Sequence, residues 1–96
     1  MSKIHSTAII DKNCIIGKNV TIGAFTVIEG NVKIDDDNII YPSVYIGGNT
    51  DIGKSNKIFS FSSIGAIPQD LKFNNEKSKL RIGDKNTIRE HCTFNL

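Results

Sequence analysis

Residue types able to do chemistry are few in this chain, and they gather in one segment. Its 96 residues hold two histidines, His5 and His91, and two cysteines, Cys14 and Cys92. A zinc site of three histidines cannot be assembled from two that lie so far apart. Two distant cysteines make neither a disulfide framework nor a metal cluster, and both read as buried, reduced, small hydrophobes. The run Asp35-Asp36-Asp37 lacks calcium-loop spacing and reads as a solvated corner. What remains is the segment 66–79, where Gln69, Asp70 and Lys72 stand beside the apolar Leu71 and Phe73. On spacing alone Asp70 could pair with Lys72 at the surface, a contact worth about 0–1 kcal/mol. Two apolar residues in so polar a segment point further, to a loop that docks on something. A neighbouring subunit is the natural candidate.

The elements that must hold this segment follow from a period of six. Isoleucine recurs at 4, 10, 16, 22, 28, 34, 40, 46, 52, 58 and 64; the run breaks at Asp70 and Glu76, then resumes in phase with Ile82, Ile88 and Phe94. Two residues before each isoleucine sits a compact side chain, such as Val20, Thr26, Asn38 or Ser62, and both cysteines fall in this slot. Glycine follows the isoleucine at 17, 23, 47, 53, 65 and 83. On an α-helix a step of six scatters residues over three faces. A single long strand would be interrupted by glycine and asparagine. A short strand and a turn, repeated, satisfies both constraints, with Gly or Asn near the corner supplying the angles of a tight bend. Hexapeptide repeats of this kind define a parallel β-helix. The expected fold is all-β, about five coils of three hexads, with one extruded loop. The chain reads as one domain, 1–96, with repeats over 4–65 and 80–96 and an inserted loop at 66–79 that leaves the coil at a corner and rejoins the same track.

Composition narrows the function. A formal net charge of +2, without a basic run, argues against nucleic-acid binding. No apolar stretch is long enough to span a bilayer, and the N-terminus has no signal-peptide pattern, so no membrane insertion and a cytoplasmic location are expected.

The segments "FSSIGAIPQDLKF" (61–73) and "IGDKNTIREHCTFN" (82–95), with the opening "IHSTAIID" (4–11), resemble the UDP-N-acetylglucosamine 3-O-acyltransferases of lipid A synthesis. The resemblance covers essentially the whole chain, and the "PQDLK" loop is more specific than the hexads. It implies a left-handed β-helix, a homotrimer with active sites between adjacent helices, and UDP-N-acetylglucosamine and acyl-acyl carrier protein as partners. It also implies no metal and no cofactor. In such enzymes a histidine acts as general base on the sugar 3-hydroxyl, which attacks the thioester carbonyl. Carried over by position, Asp70 matches the loop carboxylate that contacts the glucosamine. Gln69 and Lys72 match its polar flanks, and Asn95 falls where a polar residue, commonly His, lines the cleft.

By the same resemblance the general base belongs roughly two dozen residues past Leu96, and neither His5 nor His91 occupies its place. Leu96 stands where Arg is usual, which hints at a truncation or frame change, so the 96-residue chain alone is expected to be inactive. The competing readings are a non-catalytic structural β-solenoid, which gives no reason for the "PQDLK" insert, and another hexapeptide-repeat transferase. A nucleotide-type enzyme of that kind would be expected to carry a glycine-rich phosphate loop, and none occurs.

Overall fold

The computed structural model describes residues 2–66, 79–89 and 93–95, with the backbone alone for residues 66 and 93–95. It is an all-β parallel β-solenoid with three sheets. Sheet A stacks β1 (Lys3–Ile4), β4 (Thr21–Ile22), β7 (Ile39–Ile40), β10 (Lys57–Ile58) and β13 (Thr87–Ile88). Sheet B stacks β2 (Ile9–Ile10), β5 (Val27–Ile28), β8 (Tyr45–Ile46), β11 (Ser63–Ala66) and β14 (Thr93–Asn95). Sheet C stacks β3 (Ile15–Ile16), β6 (Asn31–Ile34), β9 (Asn49–Ile52) and β12 (Leu80–Ile82). The chain visits A, B and C in turn, so each strand pairs with one a full circuit away.

Register follows the isoleucines. Ile4 pairs with Ile22, Ile22 with Ile40 and Ile40 with Ile58, all in parallel. Backbone bonds such as Thr21 N–H to Asn38 O at 2.9 Å and Gly23 N–H to Ile40 O at 2.8 Å tie rung to rung. With strands this short, the two inward residues of each hexad carry the core. Ile22, Ile28, Ile34, Ile40, Ile46, Ile52, Ile58 and Ile64 are buried, and so are Val20, Thr26, Val32, Asn38, Val44, Thr50, Asn56 and Ser62 two residues before them. Each fully buried isoleucine contributes about 1.5–3 kcal/mol of transfer free energy. Ile4, on the edge strand β1, is 47% exposed.

Sheet C shows how the insert is accommodated. Ile34 pairs with Ile52, eighteen residues on, and Ile52 pairs with Ile82, thirty residues on. The Ile52–Ile82 pairing thus spans twelve residues more than the Ile34–Ile52 pairing and keeps the same phase.

The corners divide the expected role of glycine. Between sheets B and C the left-handed backbone does fall on glycine, at Gly30 and Gly48, whereas at the other two edges it falls three residues after the isoleucine and on other residues: Asn19, Asp37, Ser55 and Lys85 between sheets C and A, and Phe25, Ser43 and Phe61 between A and B. Gly17, Gly23 and Gly53, directly after the isoleucine, are not in that region. They are small because the next rung is close: a Cβ on Gly23 would lie 2.5 Å from Pro42 N, and one on Gly53 2.8 Å from Gly83 O.

Two further expectations need adjustment. Cys14 is free but only half-buried, packed on the core with Sγ 3.7 Å from both Ile28 O and Gly30 O; Cys92 lies outside the described residues. The acidic corner does more than face solvent. Asp36 accepts the Lys18 N–H at 2.8 Å, Asp37 accepts from Asn19 Nδ2 at 2.8 Å, and Asp35 accepts the Asp36 N–H at 2.8 Å.

Candidate functional site

The insert leaves from sheet B at a point the backbone fixes closely. Ser63 pairs with Thr93 and Ile64 with Phe94, then the register shifts so that Ala66 lies against Asn95. The bulge sits at Gly65, whose φ of +75° is left-handed. A Cβ there would also collide with Gly47 O and come within 2.5 Å of Thr50 Oγ1. Thr50 in turn donates to Gly47 O at 2.8 Å, so the wall beside Gly65 is itself hydrogen-bonded.

The return is anchored on sheet C. Leu80 pairs with Thr50 and Arg81 with Asp51, and Lys79 reaches Asp51 Oδ2 at 3.4 Å. Of the residues expected to form the site, the backbone of Asn95 is brought beside the insert's exit at Ala66. Gln69, Asp70 and Lys72 lie outside the described residues.

The outward face of sheet C carries a feature that the sequence did not flag. Lys33, Asp51 and Arg81 are in register on β6, β9 and β12, giving a row of alternating charge. Beside it Asp35, Gly53 and Gly83 complete a shallow groove. The three charged residues sit on separate repeats. A signal was present, since each immediately precedes a ladder isoleucine, but only the register brings them together. The ion pair at this row is Lys79–Asp51, which is partly exposed, and such contacts are worth about 0–1 kcal/mol.

Two aromatic clusters flank sheet B. Tyr45 donates its hydroxyl to Glu29 Oε2 at 2.6 Å. Burial, then the bond to Glu29 and that carboxylate's charge, push the Tyr45 phenol up to about 12. On the side toward sheet A, Tyr41 and Phe59 pack with ring centroids 4.6 Å apart, and the Arg89 guanidinium stands 5.6 Å from the Phe59 centroid. Among the described residues no group of three His, Cys, Asp or Glu could hold a metal ion, and no helix is long and apolar enough to cross a membrane.

Stacked hexads with one phase-keeping insert define a hexapeptide-repeat β-solenoid, the class to which this chain belongs. No protein-family model matches the sequence. Individual proteins do. The chain is 59% identical over 95 residues to the acyl-[acyl-carrier-protein]–UDP-N-acetylglucosamine O-acyltransferase of Aliarcobacter butzleri, covering 99% of this chain and 36% of that protein. It superposes on the crystal structure of a UDP-N-acetylglucosamine acyltransferase from Bacteroides fragilis with a TM-score of 0.88 at 47% identity, over 96% of this chain and 36% of that one. The Acinetobacter baumannii structure gives 0.88 at 44% identity, with 96% and 36% covered. Over the stretch it spans, the chain is similar in sequence and fold to UDP-N-acetylglucosamine O-acyltransferases, and it covers about a third of the length of these relatives.

Proposed function

We propose that this chain is the N-terminal, sugar-contacting part of a UDP-N-acetylglucosamine 3-O-acyltransferase, which moves an acyl group from acyl carrier protein to the sugar 3-hydroxyl at the start of lipid A synthesis. The observation that carries this reading is similarity along nearly the whole chain, at 59% identity to one such enzyme and a TM-score of 0.88 to another. In this reading the chain is one domain, 1–96, with repeats over 4–65 and 80–96 and the inserted loop at 66–79. It winds as a left-handed β-helix of about five coils, supported by stacks of five, five and four strands. Three copies form a homotrimer in the cytoplasm.

Asp70 contacts the glucosamine, Gln69 and Lys72 flank it, and Asn95 lines the cleft. Gly65 supports this reading because it fixes where the loop leaves the prism, next to Asn95. The general base of the reaction, a histidine, lies outside these 96 residues. The chain supplies the binding half, and the base takes the proton as the 3-hydroxyl attacks the thioester. The 96-residue polypeptide by itself is expected to bind without turnover.

Titrating the ¹⁵N-labelled chain with UDP-N-acetylglucosamine tests this. Amide signals of Gln69, Asp70, Lys72 and Asn95 should shift, Asp70→Ala should abolish the shifts, and acyl transfer should stay at background. Shifts confined to the Lys33–Asp51–Arg81 groove, or robust transfer that Asp70→Ala removes, would contradict the assignment.

A further inference from the structure

The insert leaves from the edge between sheets B and C, and the turns along that edge do not all break alike. In the two rungs before it, the left-handed residue comes two places after the ladder isoleucine: Gly30 after Ile28, with φ of +87°, and Gly48 after Ile46, with φ of +73°. In the rung that carries the insert it comes one place after, at Gly65 behind Ile64. The chain turns a residue early. Ala66 then lies against Asn95 across the bulge instead of continuing the column of Gly30 and Gly48.

Thr50 stands where this happens. Its slot, two before the ladder isoleucine of sheet C, is filled by Cys14, Val32 and Leu80 in the other rungs. A hydroxyl appears there only in the rung stacked on the roots of the insert. Thr50 is fully buried and donates to Gly47 O at 2.8 Å. A Cβ at Gly65 would lie 2.5 Å from that hydroxyl oxygen and would collide with that same carbonyl. Gly47 is backed in turn by Tyr45, whose own hydroxyl is held by Glu29 at 2.6 Å. The backbone of Thr50 also pairs with Leu80, where the chain rejoins the stack. One buried residue thus stands against the departure of the insert and pairs with its return. Valine keeps threonine's shape but would make no bond to Gly47 O, and it would press a larger group on Gly65, so the exchange is not conservative here.

We propose that Thr50 is a positioning residue for the sugar site, fixing where the insert that carries Gln69, Asp70 and Lys72 leaves and rejoins the prism. The inference rests on the sugar-contacting role proposed above and adds a core residue on which that contact depends. Contacts made from an excursion are only as precise as the roots that support it. Loosening the roots therefore weakens binding although no contacting residue has changed.

Thr26 supplies the comparison. It fills the same slot beside the corner between sheets A and B, where no insert leaves, and it is equally buried. Its hydroxyl donates to Tyr41 O at 3.1 Å and accepts the Val44 N–H at 3.4 Å. Removing either hydroxyl leaves a buried partner unpaired, so Thr50→Val and Thr26→Val should lower the melting temperature alike.

Titration of the ¹⁵N-labelled full chain with UDP-N-acetylglucosamine, at a temperature where every variant is folded, separates position from stability. Thr50→Val should bind more weakly by on the order of tenfold. Thr26→Val should bind as the wild type does, and Thr50→Ser, which keeps the hydroxyl, should recover most of the affinity. Should Thr50→Val fail to fold, Thr50→Ala removes the hydroxyl without adding a methyl, with Thr26→Ala as its control. Wild-type affinity in the Thr50 variant, or an equal loss in the Thr26 variant, would overturn the positioning role and leave the sugar-contacting reading standing. A wild type that does not bind the sugar nucleotide overturns both.

Discussion

Asparagine at the inward slot does work that leucine or valine could not. Asn38 donates from Nδ2 to Asp35 O at 2.7 Å and to Gly53 O at 2.6 Å, and its Oδ1 accepts the Asn56 N–H at 2.8 Å. Asn56 repeats the pattern toward Gly83 O and the Asn86 N–H, both at 2.8 Å. One amide thus closes its own turn and holds the turn of the next rung. Among the described residues no buried side-chain nitrogen or oxygen lacks a partner. Asn38→Ala strands the buried Asn56 N–H and two carbonyls, so it should lower unfolding free energy by about 2–3 kcal/mol. Asn86→Ala, at the exposed end of the relay, should cost well under half as much. Urea denaturation of the two variants checks the order. Equal effects would mean that slot size, not hydrogen bonding, sets the stability.

At the scale of the element, the turn separates two jobs that a sequence shows as one. Glycine is the residue of choice both for a left-handed backbone and for close approach, and composition cannot tell these apart. Position can. At Gly53 the constraint is the neighbouring rung, whereas at Lys85 it is φ, at 59°. Gly53→Ala should therefore destabilise by about 1–3 kcal/mol through overpacking. Lys85→Gly should be neutral or stabilise by up to about 1 kcal/mol by relieving the backbone. Thermal melts of both variants distinguish this from a turn that needs glycine for its angles. The same distinction explains what was readable beforehand. The isoleucine ladder and its compact partner slot were legible because burial imposes one period on every repeat. The amide relay was legible only as small volume, and the Lys33–Asp51–Arg81 row not at all, because partners eighteen and thirty residues apart acquire meaning only from the winding. For the candidate site, the residue types of the segment 66–79 could be read from the sequence, and its residues Gln69, Asp70 and Lys72 lie outside the described residues. Its anchoring by Gly65 was not legible, since that glycine looks like any other member of the repeat.

On the scale of the whole molecule, stability is a sum of rung-to-rung contacts with little crossing between distant parts. Such an object tolerates excursions if they rejoin the rung they left. Sheet C shows the tolerance directly: Ile52 finds Ile82 across thirty residues as readily as Ile34 finds Ile52 across eighteen. The twelve residues 67–78 thus fall between strands whose pairing keeps the phase of the hexads. Their excision would place Ile64 and Ile82 six positions apart and restore an unbroken count of hexads. The shortened chain should keep its far-ultraviolet β signature and most of its melting temperature, and on the function proposed above it should lose affinity for the sugar nucleotide. By the same logic the position accepts cargo: a peptide of different length and chemistry grafted there would be displayed on a rigid post, its ends fixed by β11 and β12.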